Sequence, residues 1–308
     1  MTPSNTLPGY NLSFIISTRN RLPFLKIMLF HLLEQVQPDE EIVVVDGAST
    51  DGSREYLQEL YEQGKIHQYI SEPDRNQAHA WNKAMLMAKA TLIKKIIDDD
   101  VFCYSAIRKC KEYMLHNPLV DVVISNDLSS TIIDHKKINK ASRLSQFESW
   151  KEGVVPSFTF GDVHILIRRS ALALIGLYNT SYVMMYWEYS LRISYLKANI
   201  AYYTGYNALS VGHPQSVSAL RDVAFIEKQS KRAEIFYEYK GDKAEIKNWS
   251  KLKIFVGKTI NYDKSRSGAD PNNEDAQVEL NVMYDHFYDY LSRVNDSENF
   301  TFLPSSSN

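Results

Sequence analysis

Cysteine is scarce: only Cys103 and Cys110 occur in 308 residues, which leaves no disulfide framework and points to a reducing compartment. An excess of one charge is missing too, since 35 Lys and Arg against 37 Asp and Glu give a formal net charge of -2. Such a balance offers no electrostatic footprint for nucleic acid. No apolar run approaches the roughly 18 residues that a membrane span requires, and residues 1–10 show no basic segment followed by a long apolar one. The expectation is a cytoplasmic chain without a transmembrane segment, with membrane contact confined to the periphery of the inner face. The 12 glycines nowhere form the three-glycine dinucleotide fingerprint, and a Gly-rich loop ending in Lys-Ser/Thr is absent. Internal repeats and low-complexity tracts are also lacking.

What is present is an ordinary globular composition, 44% apolar and 23% charged, ample for a buried core. Through the first third, short β-branched runs alternate with longer segments of helical period, the pattern of βαβ units around a mainly parallel sheet. Strands are expected at residues 12–17, 41–45, 66–70, 92–97 and 120–125, and helices at 22–34, 53–63, 76–89 and 105–116. Residues 126–160 are polar and weakly periodic and read as irregular or edge structure. A strand at 163–167 and helices at 170–175 and 190–198 follow. Beyond His213 the chain changes character: helical spacing over 219–239, a Gly, Pro and Asn loop at 265–273, a helix over 275–294 with Val282, Met283, Phe287 and Leu291 on one face, and a disordered end at 304–308. The organisation expected is a domain over 1–218, with a first half near 10–125 and a second near 126–218, followed by a helical extension over 219–308.

Two acidic clusters carry the chemistry. Asp98-Asp99-Asp100 follows an apolar strand, and three adjacent carboxylates repel unless positive charge sits among them. Mg²⁺ or Mn²⁺ would supply it, taking one or two protein carboxylates and filling its remaining positions with water and phosphate oxygens. The plain alternative is a solvated acidic turn that caps the next helix. The second cluster is Val45-Asp46-Gly47-Ala48-Ser49-Thr50-Asp51-Gly52-Ser53, a buried strand ending in an aspartate and a flexible turn. Asp46 can accept hydrogen bonds from a base or ribose, and the glycines let a ligand approach the backbone. Asp51 or Ser53 as a helix N-cap is the simpler account of this stretch, but it leaves Asp46 unexplained. A phosphatase nucleophile is excluded, because its acid partner two residues on would be Ala48.

In order and spacing, Ser13 to Asn20, Val45 to Ser53, Ser71-Glu72-Pro73-Asp74, Ala80-Trp81-Asn82-Lys83-Ala84 and Asp98-Asp99-Asp100 resemble the family 2 glycosyltransferases of the GT-A fold. The resemblance runs from about Leu12 to Tyr104 and thins between Gly161 and Ser218. It implies an α/β fold of GT-A type, a Rossmann-like, mainly parallel sheet flanked by helices, here with a C-terminal helical appendage. It also implies an inverting transferase using a nucleotide-sugar donor, UDP-linked by preference, a saccharide or lipid-linked saccharide acceptor, Mn²⁺ or Mg²⁺, and a role in surface polysaccharide assembly. Ser17, Thr18, Arg19 and Gly47 would lie beside the nucleotide, Asp46 on its base or ribose, and Arg75 near the base or diphosphate. Asp99 and Asp100 would ligate the metal, with Asp98 nearer the ribose or sugar. Asn76 and Ala90 depart from the pattern, standing where glycines are common.

In the acceptor half, Tyr186-Trp187-Glu188-Tyr189-Ser190-Leu191-Arg192 resembles the segment that carries the family's acidic residue, making Glu188 the general base. Inverting transfer needs such a carboxylate to remove the acceptor proton. A helix N-terminal Glu favoured by the dipole is the competing account. His213, opening His213-Pro214-Gln215-Ser216-Val217-Ser218, resembles a late motif whose imidazole reaches the metal or diphosphate. Two other functions compete: a nucleotide-sugar binding subunit without turnover, and a nucleotidyltransferase. The second would need a Gly-rich basic loop after the first strand, which Ser17-Thr18-Arg19-Asn20 is not.

Overall fold

The computed structural model describes residues 9–214, 222–241 and 274–305. The opening alternation follows the sequence pattern: β1 (Leu12–Thr18), α1 (Leu22–Gln35), β2 (Glu40–Asp46), α2 (Ser53–Glu62), β3 (Gln68–Ser71), α3 (Gln77–Met87) and β4 (Leu92–Ile96). After the aspartates come β5 (Val101–Phe102), α4 (Tyr104–His116), β6 (Val122–Ser125) and β7 (Asp127–Thr131). Then follow β8 (Asn139–Ala141), α5 (Leu144–Lys151), β9 (Ile165–Arg168), α6 (Leu172–Ile175), α7 (Met185–Tyr195), β10 (Ile200–Tyr203) and β11 (Ala208–Gly212). Helix α8 (Val223–Phe236), helix α9 (Glu274–Ser297) and strand β12 (Phe302–Pro304) complete the described chain. The expectations placed on 215–218, 265–273 and 306–308 fall outside the described residues.

Eight strands form the main sheet in the order β12-β10-β6-β9-β4-β1-β2-β3, with β9 and β12 antiparallel to their neighbours. Strands β1, β2, β3, β4, β6 and β10 point one way, so their C-terminal ends share an edge. A four-stranded sheet, β5-β11-β7-β8, is built from chain leaving that edge. Strands such as β1 are buried on both faces and therefore read as continuous apolar runs. Phe14 and Ile16 enter the layer holding α1, α2, α4 and α9, while Ile15 faces the layer of α3, α5 and α7.

Four expectations are corrected. Residues 126–160, expected as irregular or edge structure, hold β7, β8 and α5: β7 is only partly buried between β11 and β8, β8 is an exposed edge strand, and the short helix buries only Phe147 and Trp150. The tail end is not disordered through 305: Phe302–Pro304 pairs with β10 at the sheet edge, and Ser305 bonds to Ile200 and Asn199. The C-terminal helix is no appendage, because Tyr284, Phe287 and Leu291 belong to the main core and are at most 1% exposed. Val282, expected on the buried face, is 65% exposed; the seam runs through Tyr284, Phe287, Leu291 and Val294.

If α9 is part of the cooperative core, Phe287→Ala should cost about 3–5 kcal/mol in a denaturant melt. A cost below about 1 kcal/mol would mean that the helix folds separately from the sheet.

Candidate active site

From β1 the chain moves outward to β2 and β3, then returns to β4 on the other flank of β1. Such a reversal leaves a crevice at the strand ends, the usual ligand site of an open α/β sheet. Thr18, the last residue of β1, stands in register with Asp46, the last of β2. Its carbonyl accepts from the Gly47 amide at 2.9 Å, and its hydroxyl donates to Asp98 Oδ2 at 2.6 Å. One threonine thus joins both acidic clusters across the crevice.

The turn Asp98-Asp99-Asp100 is nearly closed to solvent, its residues 5–8% exposed. Each aspartate is held from a different part of the chain. Thr18 bonds to Asp98, Arg21 Nη1 pairs with Asp99 Oδ2 at 3.2 Å, and the Val211 amide donates to Asp100 Oδ1 at 2.7 Å. Helix α9 adds a fourth hold, Tyr284 Oη donating to the Asp99 carbonyl at 2.7 Å. Burial, and then the neighbouring Asp99 charge, push Asp98 from 3.8 up to about 7. The same causes push Asp100 well above the usual range, and burial raises Asp99 against the pull of Arg21.

Asp46 reaches the same edge, but its carboxylate is spent within the protein. It accepts from the Ser49 amide, from Ser49 Oγ, and from Ser71 Oγ at 2.6 Å, and it is fully buried. Its work is to shape the loop after β2, where Ala48 takes a left-handed φ of 57°. That loop is fastened to the one after β1: Asn20 N donates to Ser49 Oγ, Thr50 N to Asn20 Oδ1, and Leu22 N to Asp51 Oδ2. Asp51 therefore caps α1 as well as bonding to Ser53 N near the start of α2. Gly47 has the Arg19 and Asp74 side chains against it, each 3.2 Å from where a Cβ would stand, so a larger residue would push both side chains aside by a few tenths of an ångström. Ser17 is half-buried, and Arg19 and Arg75 are exposed.

The expected base, Glu188, has its carboxylate engaged inside the protein. Its carboxylate is gripped by Arg192 Nε and Nη2 at 3.0 and 2.8 Å and accepts from Tyr237 Oη at 2.6 Å. At 2% exposure, with both oxygens engaged, it is a buried ion pair joining α7 to the segment after α8 and not an open base. The carboxylates that do reach the strand-end edge from the second half are Asp162 and Asp127. Asp162 pairs with Lys95 of β4 and accepts from Tyr178 Oη at 2.9 Å. Asp127 accepts from Arg143 Nε at 3.1 Å, and its other oxygen, buried without a hydrogen-bond partner, lies 3.5 Å from His164 Nε2. Burial draws His164 down to about 4, so this imidazole is neutral. His213 does approach the aspartates' surroundings, with its ring 5.0 Å from Phe24 and Phe24 beneath the Arg21 guanidinium. Burial and then Arg21 bring it to about 4.

Sequence reading passed over Arg21, Lys95 and Tyr284. Lysines at 94 and 95 inside an apolar strand were a usable signal, since a buried ammonium requires partners. Arg21 lay two residues past Arg19, but nothing local marks Tyr284.

Among the described residues no three His, Cys, Asp or Glu side chains converge as a metal cage. Mg²⁺ or Mn²⁺ does not need one, because one or two carboxylates plus phosphate oxygens suffice. The three aspartates fit that demand: hydrogen bonds and an ion pair engage Asp98 Oδ2, Asp99 Oδ2 and Asp100 Oδ1, which leaves the second oxygen of each for a cation.

The family model described as Glycosyl transferase family 2 matches residues 13–176. The chain belongs to that family. Glycosyltransferase TuaG of Bacillus subtilis, named for teichuronic acid biosynthesis, is 30% identical over 105 residues, 33% of this chain and 41% of its own. An uncharacterized glycosyltransferase of Nostoc sp. is 32% identical over 135 residues, 42% of this chain and 40% of its own. The match therefore spans about two fifths of these curated relatives. Among solved structures, Staphylococcus aureus TarS 1-349 in complex with UDP-GlcNAc superposes with a TM-score of 0.57 at 13% identity, covering 92% of this chain and 81% of that one. The mannosyltransferase PcManGT from Pyrobaculum calidifontis, in complex with GDP-Man and Mn²⁺, gives 0.52 at 15% identity, covering 96% and 92%. Identities this low speak for the fold alone, which is the GT-A glycosyltransferase fold. Glu188, His213 and α9 all lie beyond the stretch that the family 2 model matches.

The raised carboxylates have a sign that can be tested. A carboxyl whose pKa is higher folded than unfolded holds its proton better in the fold, so its contribution is intact below the ordinary pKa and lost as pH rises through the folded one. In chelator, stability should fall between about pH 4 and about pH 7, and Asp98→Asn should make the slope shallower. Urea melts across that range check this, and a profile unchanged by the substitution would contradict it.

Proposed function

We propose that this family 2 glycosyltransferase moves a sugar from a nucleoside diphosphate donor, UDP-linked by preference, to a saccharide or lipid-linked saccharide with inversion, in surface polysaccharide assembly. The observation that carries the reading is the Thr18 bridge, which brings the loop after β2 and the aspartates after β4 to one crevice. A divalent cation there, when bound, neutralises charge developing on the leaving diphosphate. Asp99 and Asp100 would hold it, with Asp98 beside them. Thr18, Arg19 and Gly47 would meet the nucleotide, with Ser17 behind them and Asp46 fixing their loop. Arg21 lies close enough to Asp99 to share the diphosphate charge, and His213 and Arg75 would add to the diphosphate contacts.

Inversion requires a proton acceptor on the acceptor side. Asp127 supports that role better than Glu188, since one of its oxygens has no hydrogen-bond partner and a neutral imidazole stands beside it. TarS and PcManGT are seen in complex with UDP-GlcNAc and GDP-Man, and the donor of this chain is proposed within that class.

A panel of UDP- and GDP-sugars with Mn²⁺ tests the reading by release of nucleoside diphosphate. Asp99→Ala should abolish metal-dependent donor binding. Asp127→Asn should keep donor affinity within about threefold while lowering turnover by about 10²-fold or more. Binding without release across the panel would favour a non-catalytic nucleotide-sugar subunit instead.

A further inference from the structure

The four holds on the aspartate turn are unequal in origin: three come from within the α/β domain, and the fourth, Tyr284, reaches back 185 residues from the C-terminal helix. Tyr284 is fully buried, and its hydroxyl meets the main-chain carbonyl of the residue whose carboxylate Arg21 pairs. Its ring lies 6.0 Å from Phe24 and 5.9 Å from Phe287, and Phe24 in turn lies 5.7 Å beneath Arg21. One turn on, Tyr288 stacks on His31 of α1 at 3.6 Å. The helix is thus fastened to α1 and, through a single hydroxyl, to the backbone of the turn.

We propose that Tyr284 is a positioning residue for the cation site, and that α9 acts as a strap that keeps the turn in ligating form. This rests on the reading of Asp99 and Asp100 as metal ligands. Three adjacent carboxyls repel one another as they ionise, which drives the turn to open, and side-chain donors restrain only the carboxylates. A donor on the Asp99 carbonyl fixes the peptide plane between Asp99 and Asp100, and with it the directions in which both side chains leave the backbone. Outer contacts of this kind typically govern metal affinity by about 10–100-fold.

The test uses the full chain and Mn²⁺, its free ion followed by electron paramagnetic resonance, with and without UDP. Tyr284→Phe keeps the ring and removes the hydroxyl, and its Mn²⁺ dissociation constant should rise about tenfold or more. Tyr290→Phe, which alters the same helix on its Tyr206 side, should bind as the unaltered protein does, and the melting temperatures of both variants should agree. Phe24→Leu, which leaves the hydroxyl but loosens its support, provides a second series in which affinity falls by less. Unchanged Mn²⁺ affinity in Tyr284→Phe, or in Phe24→Leu should the first variant not fold, overturns the strap. If the unaltered chain binds no Mn²⁺ in either condition, the metal reading falls and takes the strap with it, an outcome distinct from equal binding by protein and variant.

Discussion

Everything at the strand-end edge depends on keeping three buried carboxylates together. Left alone, Asp98, Asp99 and Asp100 would repel one another and seek water. The fold answers with a hydroxyl from β1, a guanidinium from the loop before α1, an amide from β11 and a phenol from α9. Four distant segments must be in place before the turn is tolerable. The site is therefore a product of the finished fold, and burial still holds the protons on these groups more firmly than usual. A cation would relieve the same strain in electrostatics that Arg21 relieves only in part.

Strand β4 carries the second half of the arrangement. Lys94 and Lys95 are adjacent and fully or nearly buried. Lys95 reaches Asp162, and Lys94 donates to the carbonyls of Val163 and Ile165, burial bringing it down to about 7. Both ammonium groups tie residues 162–165 to the strand that ends in the aspartates. By this means residues 162–165 are registered against β4 through main-chain and carboxylate contacts.

Legibility in the sequence followed the range of the interactions. Periodicity over residues 12–97 placed β1 to β4 and α1 to α3 within a few residues, because burial on both faces of a central strand imposes an apolar run locally. Strands β7 and β8 escaped, being short and partly or wholly exposed. Asp46 illustrates a subtler limit. Its position after β2 was plain, yet its partners Ser49 and Ser71 turn an apparent ligand contact into an internal clasp. Glu188 was likewise seen at a helix start, but only the packing of α7 on the segment after α8 brings Tyr237 to it and closes both oxygens.

By itself the sequence determined the alternating α/β layout, the family resemblance and the identity of the acidic motifs, since each is written in local spacing and residue type. Tertiary structure alone decided which acids are free and which are spent. It also decided that α9 belongs to the core, and that Thr18, Arg21, Val211 and Tyr284 meet at one turn. The physical reason is that a carboxylate's role is set by what neutralises or hydrogen-bonds it, and here those partners lie as far as 185 residues away along the chain.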